Sequence, residues 1–84
     1  MEARKTSPRD TGMFDVKGNP VMEFNVVQLT GDLRGIIKWV DGKAAFACYY
    51  LNDEGEDTDD YDFLHVFDPE DMAVIGGEEA RRTK

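Results

Sequence analysis

Eighty-four residues carry ten Lys and Arg against 18 Asp and Glu, a formal net charge of −8. That length holds one small domain, which buries only about 60% of its unfolded surface. The acidic balance disfavours nucleic acid and anionic membranes as direct partners, since both are polyanions. No apolar run reaches the roughly 20 residues of a membrane span. Met1 to Pro8 start basic but lead into no apolar stretch, so no secretory signal is expected. Cys48 is the single cysteine, which excludes an internal disulfide and makes a reducing cytoplasm the expected compartment.

The charge is uneven. Residues 1–9 and 81–84 together sum to +5, whereas residues 10–80 hold four bases and 17 acids, a net of −13. Seven acids fall within ten residues: Asp53, Glu54, Glu56, Asp57, Asp59, Asp60 and Asp62. Such a block repels itself, so an exposed acidic loop is predicted over 52–60.

Residues 1–11 are polar and aperiodic and read as a flexible basic tail. Residues 15–20 are dense in turn formers. Residues 21–29 read as one strand, with Phe24 and Val26 on one face and Glu23 and Asn25 on the other. Asp41-Gly42 between two apolar runs predicts a hairpin with a two-residue type I′ turn, setting Val40 opposite Lys43, Trp39 opposite Ala44 and Ile37 opposite Phe46. One hairpin face then carries Ile37, Trp39, Phe46, Cys48 and Tyr50, the better core candidate. The other carries Ile36, Lys38, Ala45, Ala47 and Tyr49. Residues 61–67 read as a further strand. Asp68 as N-cap with Pro69 at the first helical position predicts one 3₁₀ turn, followed by a short strand over 72–75. Residues 78–84 read as a frayed basic tail.

These short strands predict a mainly β domain over 12–77: a small SH3-like barrel, or alternatively a strongly twisted, more open antiparallel sheet.

Three stretches resemble a known family. Thr11-Gly12-Met13-Phe14-Asp15-Val16-Lys17-Gly18-Asn19-Pro20-Val21 is similar to the Thr-Gly, Asp, Gly run of YopX-type phage and prophage proteins before their first barrel strand. Residues 35–42 are similar to that family's central hairpin, and residues 67–76 to its closing acidic turn and Val-Ile-Gly strand. The matches keep the family's order and cover residues 11–77. The family usually continues through a Glu-Gly-Asp step, where this chain has Glu23-Phe24-Asn25. The resemblance implies a viral origin, a small β-barrel and action inside a bacterial host cell. It supplies no catalytic residues.

Chemistry-bearing residues are few. A Cys48–His65 pair has the residue types for a nucleophile and its base. Cys48 alternates with Phe46 and Tyr50, however, and reads as a small core residue. His65 lies among apolar neighbours and reads as a partly buried imidazole. The acids fail the EF-hand pattern: the sixth position is Thr58 counted from Asp53 and Asp62 counted from Asp57, where Gly is needed. No metal or cofactor site is expected. Trp39, Tyr49, Tyr50 and Tyr61 are the residue types of a base-stacking platform, but such platforms sit in basic grooves. Trp39 reads as core, and Tyr49 as part of a half-exposed apolar patch suited to protein contact.

The expected function is that of a non-enzymatic phage-encoded accessory protein. It would present an acidic interaction module to a host or phage protein with a basic surface. Asp53, Glu54, Glu56, Asp57, Asp59, Asp60, Asp62 and Tyr49 would make the contact. A sharper form is mimicry of nucleic-acid charge, and the alternative is a structural, self-associating phage module acting as a homodimer.

Overall fold

The computed structural model describes residues 8–77 and 79–80. Seven strands form in chain order: β1 (Asp10–Phe14), β2 (Pro20–Met22), β3 (Val26–Gln28), β4 (Arg34–Val40), β5 (Ala45–Leu51), β6 (Asp57–Phe63) and β7 (Ala73–Gly76). The fold is mainly β. An antiparallel five-stranded sheet has the order β6-β5-β4-β3-β7, and β1 and β2 form a separate antiparallel pair. Short 3₁₀ turns form at Asp41–Lys43, Leu64–Val66 and Pro69–Asp71. β6 and β7 end the sheet and are not hydrogen-bonded to each other.

The expected tail over 1–11 lies mostly outside the described residues, but its end does not fit. Asp10 opens β1, and Arg9 is held by a two-pronged bond to Glu23, Nε to Oε1 at 3.1 Å and Nη2 to Oε2 at 3.0 Å. Its guanidinium also lies 4.7 Å from the Trp39 ring centroid. Trp39 is half-buried rather than core.

The turn after β1 is built on Asp15, a buried carboxylate. Its Oδ1 accepts from the backbone N–H of Lys17 and Asn19, and its Oδ2 from the Asn19 amide and the N–H of Val74. Gly18, at φ 85°, supplies the left-handed residue this turn requires.

The single strand expected over 21–29 is broken into β2 and β3. Glu23 turns inward to meet Arg9 and is buried, while Phe24 is 39% exposed although Val26, predicted on the same face, is fully buried. Phe24 adopts φ 71°, a left-handed conformation that costs a bulky L-residue about 1–2 kcal/mol. Phe24→Gly is therefore expected to leave stability unchanged or raise it by up to about 1 kcal/mol. Phe24→Val is expected to lower it by about 1–2 kcal/mol. Urea denaturation of both variants checks the sign.

Asp15 and Glu23 give the fold an acid limit. Burial pushes the Asp15 carboxyl up, but bonds from Val74, Asn19 and Lys17 outweigh it and hold it below its ordinary range. The hydrogen bond from Arg9 outweighs burial at Glu23 and does the same. A depressed carboxyl contributes stability above its unfolded pKa, near 4, and loses it as pH falls through the folded value. The melting temperature is expected to drop below about pH 4. Glu23→Gln is expected to lower the folding equilibrium roughly tenfold at neutral pH and to converge with the unsubstituted protein in acid. Melts across pH measure both effects.

The β4–β5 hairpin forms with a different turn. Asp41–Lys43 make a 3₁₀ turn and Ala44 takes the left-handed conformation at φ 51°, ψ 46°. Val40 therefore pairs with Ala45, Trp39 with Phe46 and Ile37 with Cys48. The register differs by two residues from that of a two-residue turn. An even shift leaves every side chain on its predicted face, because strands repeat every two residues. Trp39 meets Phe46 edge-on, with ring centroids 4.9 Å apart, rather than lying over Ala44.

Both faces of the hairpin are buried. Ile37 and Cys48 join Val21, Val27, Leu29, Leu64 and Met72 in the main core. On the other face Ile36 packs with Val26, Leu51 and Ala80, and Tyr49 lies against them. Ala80 is buried, so the frayed tail expected from residue 78 does not begin before it; residues 78 and 81–84 lie outside the described residues. Asp68 caps the 3₁₀ turn as predicted, its carboxylate accepting from the Glu70 N–H with Pro69 in the first turn. β7 follows within one residue of its expected place.

Candidate functional site

The acidic block is only partly a loop. A tight turn covers residues 52–56, where Asn52 Oδ1 accepts from the N–H of Glu54 and Glu56, each at 2.9 Å. Gly55, at φ 80°, lets the chain reverse there. Asp53, Glu54 and Glu56 project from this turn, exposed. The other four acids belong to β6, where the predicted loop gives way to a paired edge strand. Asp is a poor strand former, but here cross-strand packing decides. Tyr61 pairs with Tyr49 and Phe63 with Ala47, while Asp57, Asp59, Asp60 and Asp62 stay exposed.

β6 is irregular at its start. The register shifts between Tyr49 and Leu51, and the Thr58 hydroxyl fills the gap by donating to the Tyr50 carbonyl at 2.8 Å and accepting from the Asp60 N–H at 3.2 Å. From Tyr61 to Phe63 the pairing is regular.

The two faces of β6 differ. On one, Asp62 accepts from the Tyr50 hydroxyl at 2.5 Å. Burial first, then this bond and the charges of Asp62 and Asp60, push the Tyr50 hydroxyl up to about 12. On the other face runs a row of rings. Tyr49 and Tyr61 are 4.7 Å apart, Tyr61 and Phe63 5.5 Å, and Phe63 stacks on His65 at 5.9 Å. Tyr49, predicted in a half-exposed apolar patch, is half-buried against the second core, and Lys38 lies 5.4 Å from its ring. Lys38 also pairs with Asp57.

His65 is exposed, not partly buried. The strand expected over 61–67 ends at Phe63, and the Leu64–Val66 turn drives Leu64 into the core and swings His65 outward. Cys48 is a free thiol with no exposed surface, as its alternation predicted. Burial, then the charge of Asp62, pushes it up to about 12.

The ends of the main sheet are treated unequally. At β7 the Val74 N–H donates to Asp15 Oδ2 at 2.9 Å and the Met72 carbonyl accepts from the Val16 N–H at 3.0 Å, so the turn after β1 covers that edge. Among the described residues, β6 has β5 as its sole strand neighbour.

Sequence reasoning missed an apolar trough of about 620 Å³ lined by Met13, Phe14, Phe46, Leu64, His65 and Phe67. These residues come from β1, β5 and the turns after β6, and no local pattern links them. Among the described residues no group of three or more His, Cys, Asp or Glu is placed to hold a metal ion, and no helix is long and apolar enough to cross a membrane. Comparison with protein-family models, curated proteins and solved structures returned no match.

Proposed function

We propose that this chain is a non-enzymatic accessory protein of a phage or prophage. It acts in the host cytoplasm by binding a host or phage protein with a basic surface. The observation that carries this reading is the β6 edge: a sheet margin with no second strand neighbour among the described residues, seven residues long, with four exposed carboxylates and three more in the adjoining turn. Complementary charge of this kind raises association rate and fixes orientation. Like charges directly opposite one another destabilise strand pairing. The same edge therefore disfavours a homodimer built on two copies of β6, which places the heteromeric reading ahead of self-association. Mimicry of nucleic-acid charge is the narrower form, in which the partner's surface is one that binds DNA or RNA.

Two features support the YopX resemblance and its SH3-like fold. The family's Gly falls at Phe24, where φ is 71°, the region Gly adopts without strain. The order β6-β5-β4-β3-β7 is a four-strand meander whose last strand returns beside the first after a 3₁₀ turn. That is the strand order of an SH3-like sheet.

Immobilised protein is expected to retain basic bacterial proteins from lysate at low salt and release them at high salt. A variant with Asp53, Asp59 and Asp60 changed to Asn and Glu54 to Gln is expected to lose them. Equal retention by that variant, or retention only of acidic proteins, would overturn the reading.

A further inference from the structure

We infer that β6 takes an extended segment of its partner as a sixth strand of the sheet, and that basic and apolar side chains alternate along that segment. The inference rests on the interaction reading above and specifies how the edge reads its partner.

An edge strand presents one row of backbone N–H and C=O groups without sheet partners, a template for a further strand. Proteins usually blunt such edges with charged side chains, Pro, bulges, short length or a covering loop. At β7 this chain does so: the Asp15 turn takes up the Val74 N–H and the Met72 carbonyl. β6 matches β4 and β5 in length, and no Pro, Lys or Arg lies within it. Its protection is a register shift in the first half and negative charge throughout, which repels like-charged strands but not a basic one. The register shift disturbs the first half, where the Asp60 N–H donates to the Thr58 hydroxyl, leaving the stretch from Tyr61 to Phe63 as the regular part.

Period two then sets what an added strand meets. Asp62 lies on the Tyr50 face with Asp60 two residues before it; Tyr61 and Phe63 lie on the other, in line with Tyr49 and His65. Side chains of a neighbouring strand alternate in the same way, and those directly opposite interact. Basic side chains therefore fall beside Asp60 and Asp62, and apolar or aromatic ones beside Tyr61 and Phe63. Charge complementarity selects the basic set. The sequence holds no Lys or Arg between Lys43 and Arg81, and Lys38, on β4, is already paired with Asp57.

The test uses the full chain, isotope-labelled, and a short capped peptide alternating lysine and valine. Two N-methylated versions block alternate sets of its backbone amides. Binding is expected to slow amide exchange within residues 61–63. One methylated set is expected to weaken binding by about tenfold or more and the other to leave it nearly unchanged, because only one set faces β6. Equal binding by both methylated peptides, with loss in the Asp59→Asn/Asp60→Asn variant, overturns strand addition while the acidic docking reading stands. If no basic peptide binds at low salt, both fail. Perturbation centred on β7 or on the apolar trough overturns the placement.

Discussion

Gly35→Ala is expected to lower stability by about 3 kcal/mol. Gly35 is buried in β4, and a Cβ there would collide with the Cys48 Sγ and lie 3.0 Å from the Tyr49 carbonyl oxygen. Neither neighbour yields easily. The thiol sits on a short side chain in a filled core, and the carbonyl belongs to the paired strand β5. Cys48→Ala in the same molecule removes the closer clash and leaves the second. The double variant is expected to regain about half of the loss, a coupling that independent sites would not show. Urea denaturation of the two single variants and the double variant measures it. Simple additivity would mean that the Gly35–Cys48 contact is not the cause.

Cys48 in the folded protein is expected to react with Ellman's reagent about a thousandfold more slowly than in urea at the same pH. The thiolate is the reactive form, and the thiol is pushed from 9.0 up to about 12 by burial and by the charge of Asp62. The raised value leaves far less thiolate at a given pH, and full burial denies the reagent access as well. Fast reaction of the native protein would refute this. The direction bears on function. A catalytic cysteine needs its thiol pulled down by a positive neighbour, whereas the charge acting on Cys48 is a carboxylate. Nor is His65 built into the core with it, being exposed and stacked on Phe63.

Elements with strong local chemistry were legible in the sequence. Asp68-Pro69 announced its 3₁₀ turn, and the β4–β5 faces followed from alternation alone, surviving an error in turn length because the error was even. Elements set by distant partners were not legible. β1 has no apolar period; β2 and the Arg9–Glu23 pair hold it in place. The break at Phe24 depends on Glu23 turning inward toward a residue 14 positions away. At β6 the density of acid masked the start of the strand. The strand reading begins at Tyr61 because the acids before it read as loop, whereas β6 begins at Asp57. The sequence therefore shows where the acids of the candidate site lie along the chain, but not that four of them lie on a strand at the sheet edge.

The covered margin at β7 has a consequence for stoichiometry. Cross-β growth needs a sheet that can be extended at both ends, each added chain presenting a fresh template to the next. Here the Asp15 turn closes one end. With that end occupied, the five-stranded sheet offers one margin, β6, among the described residues, so the inferred strand addition at β6 would stop at one added strand per copy rather than propagate through this sheet.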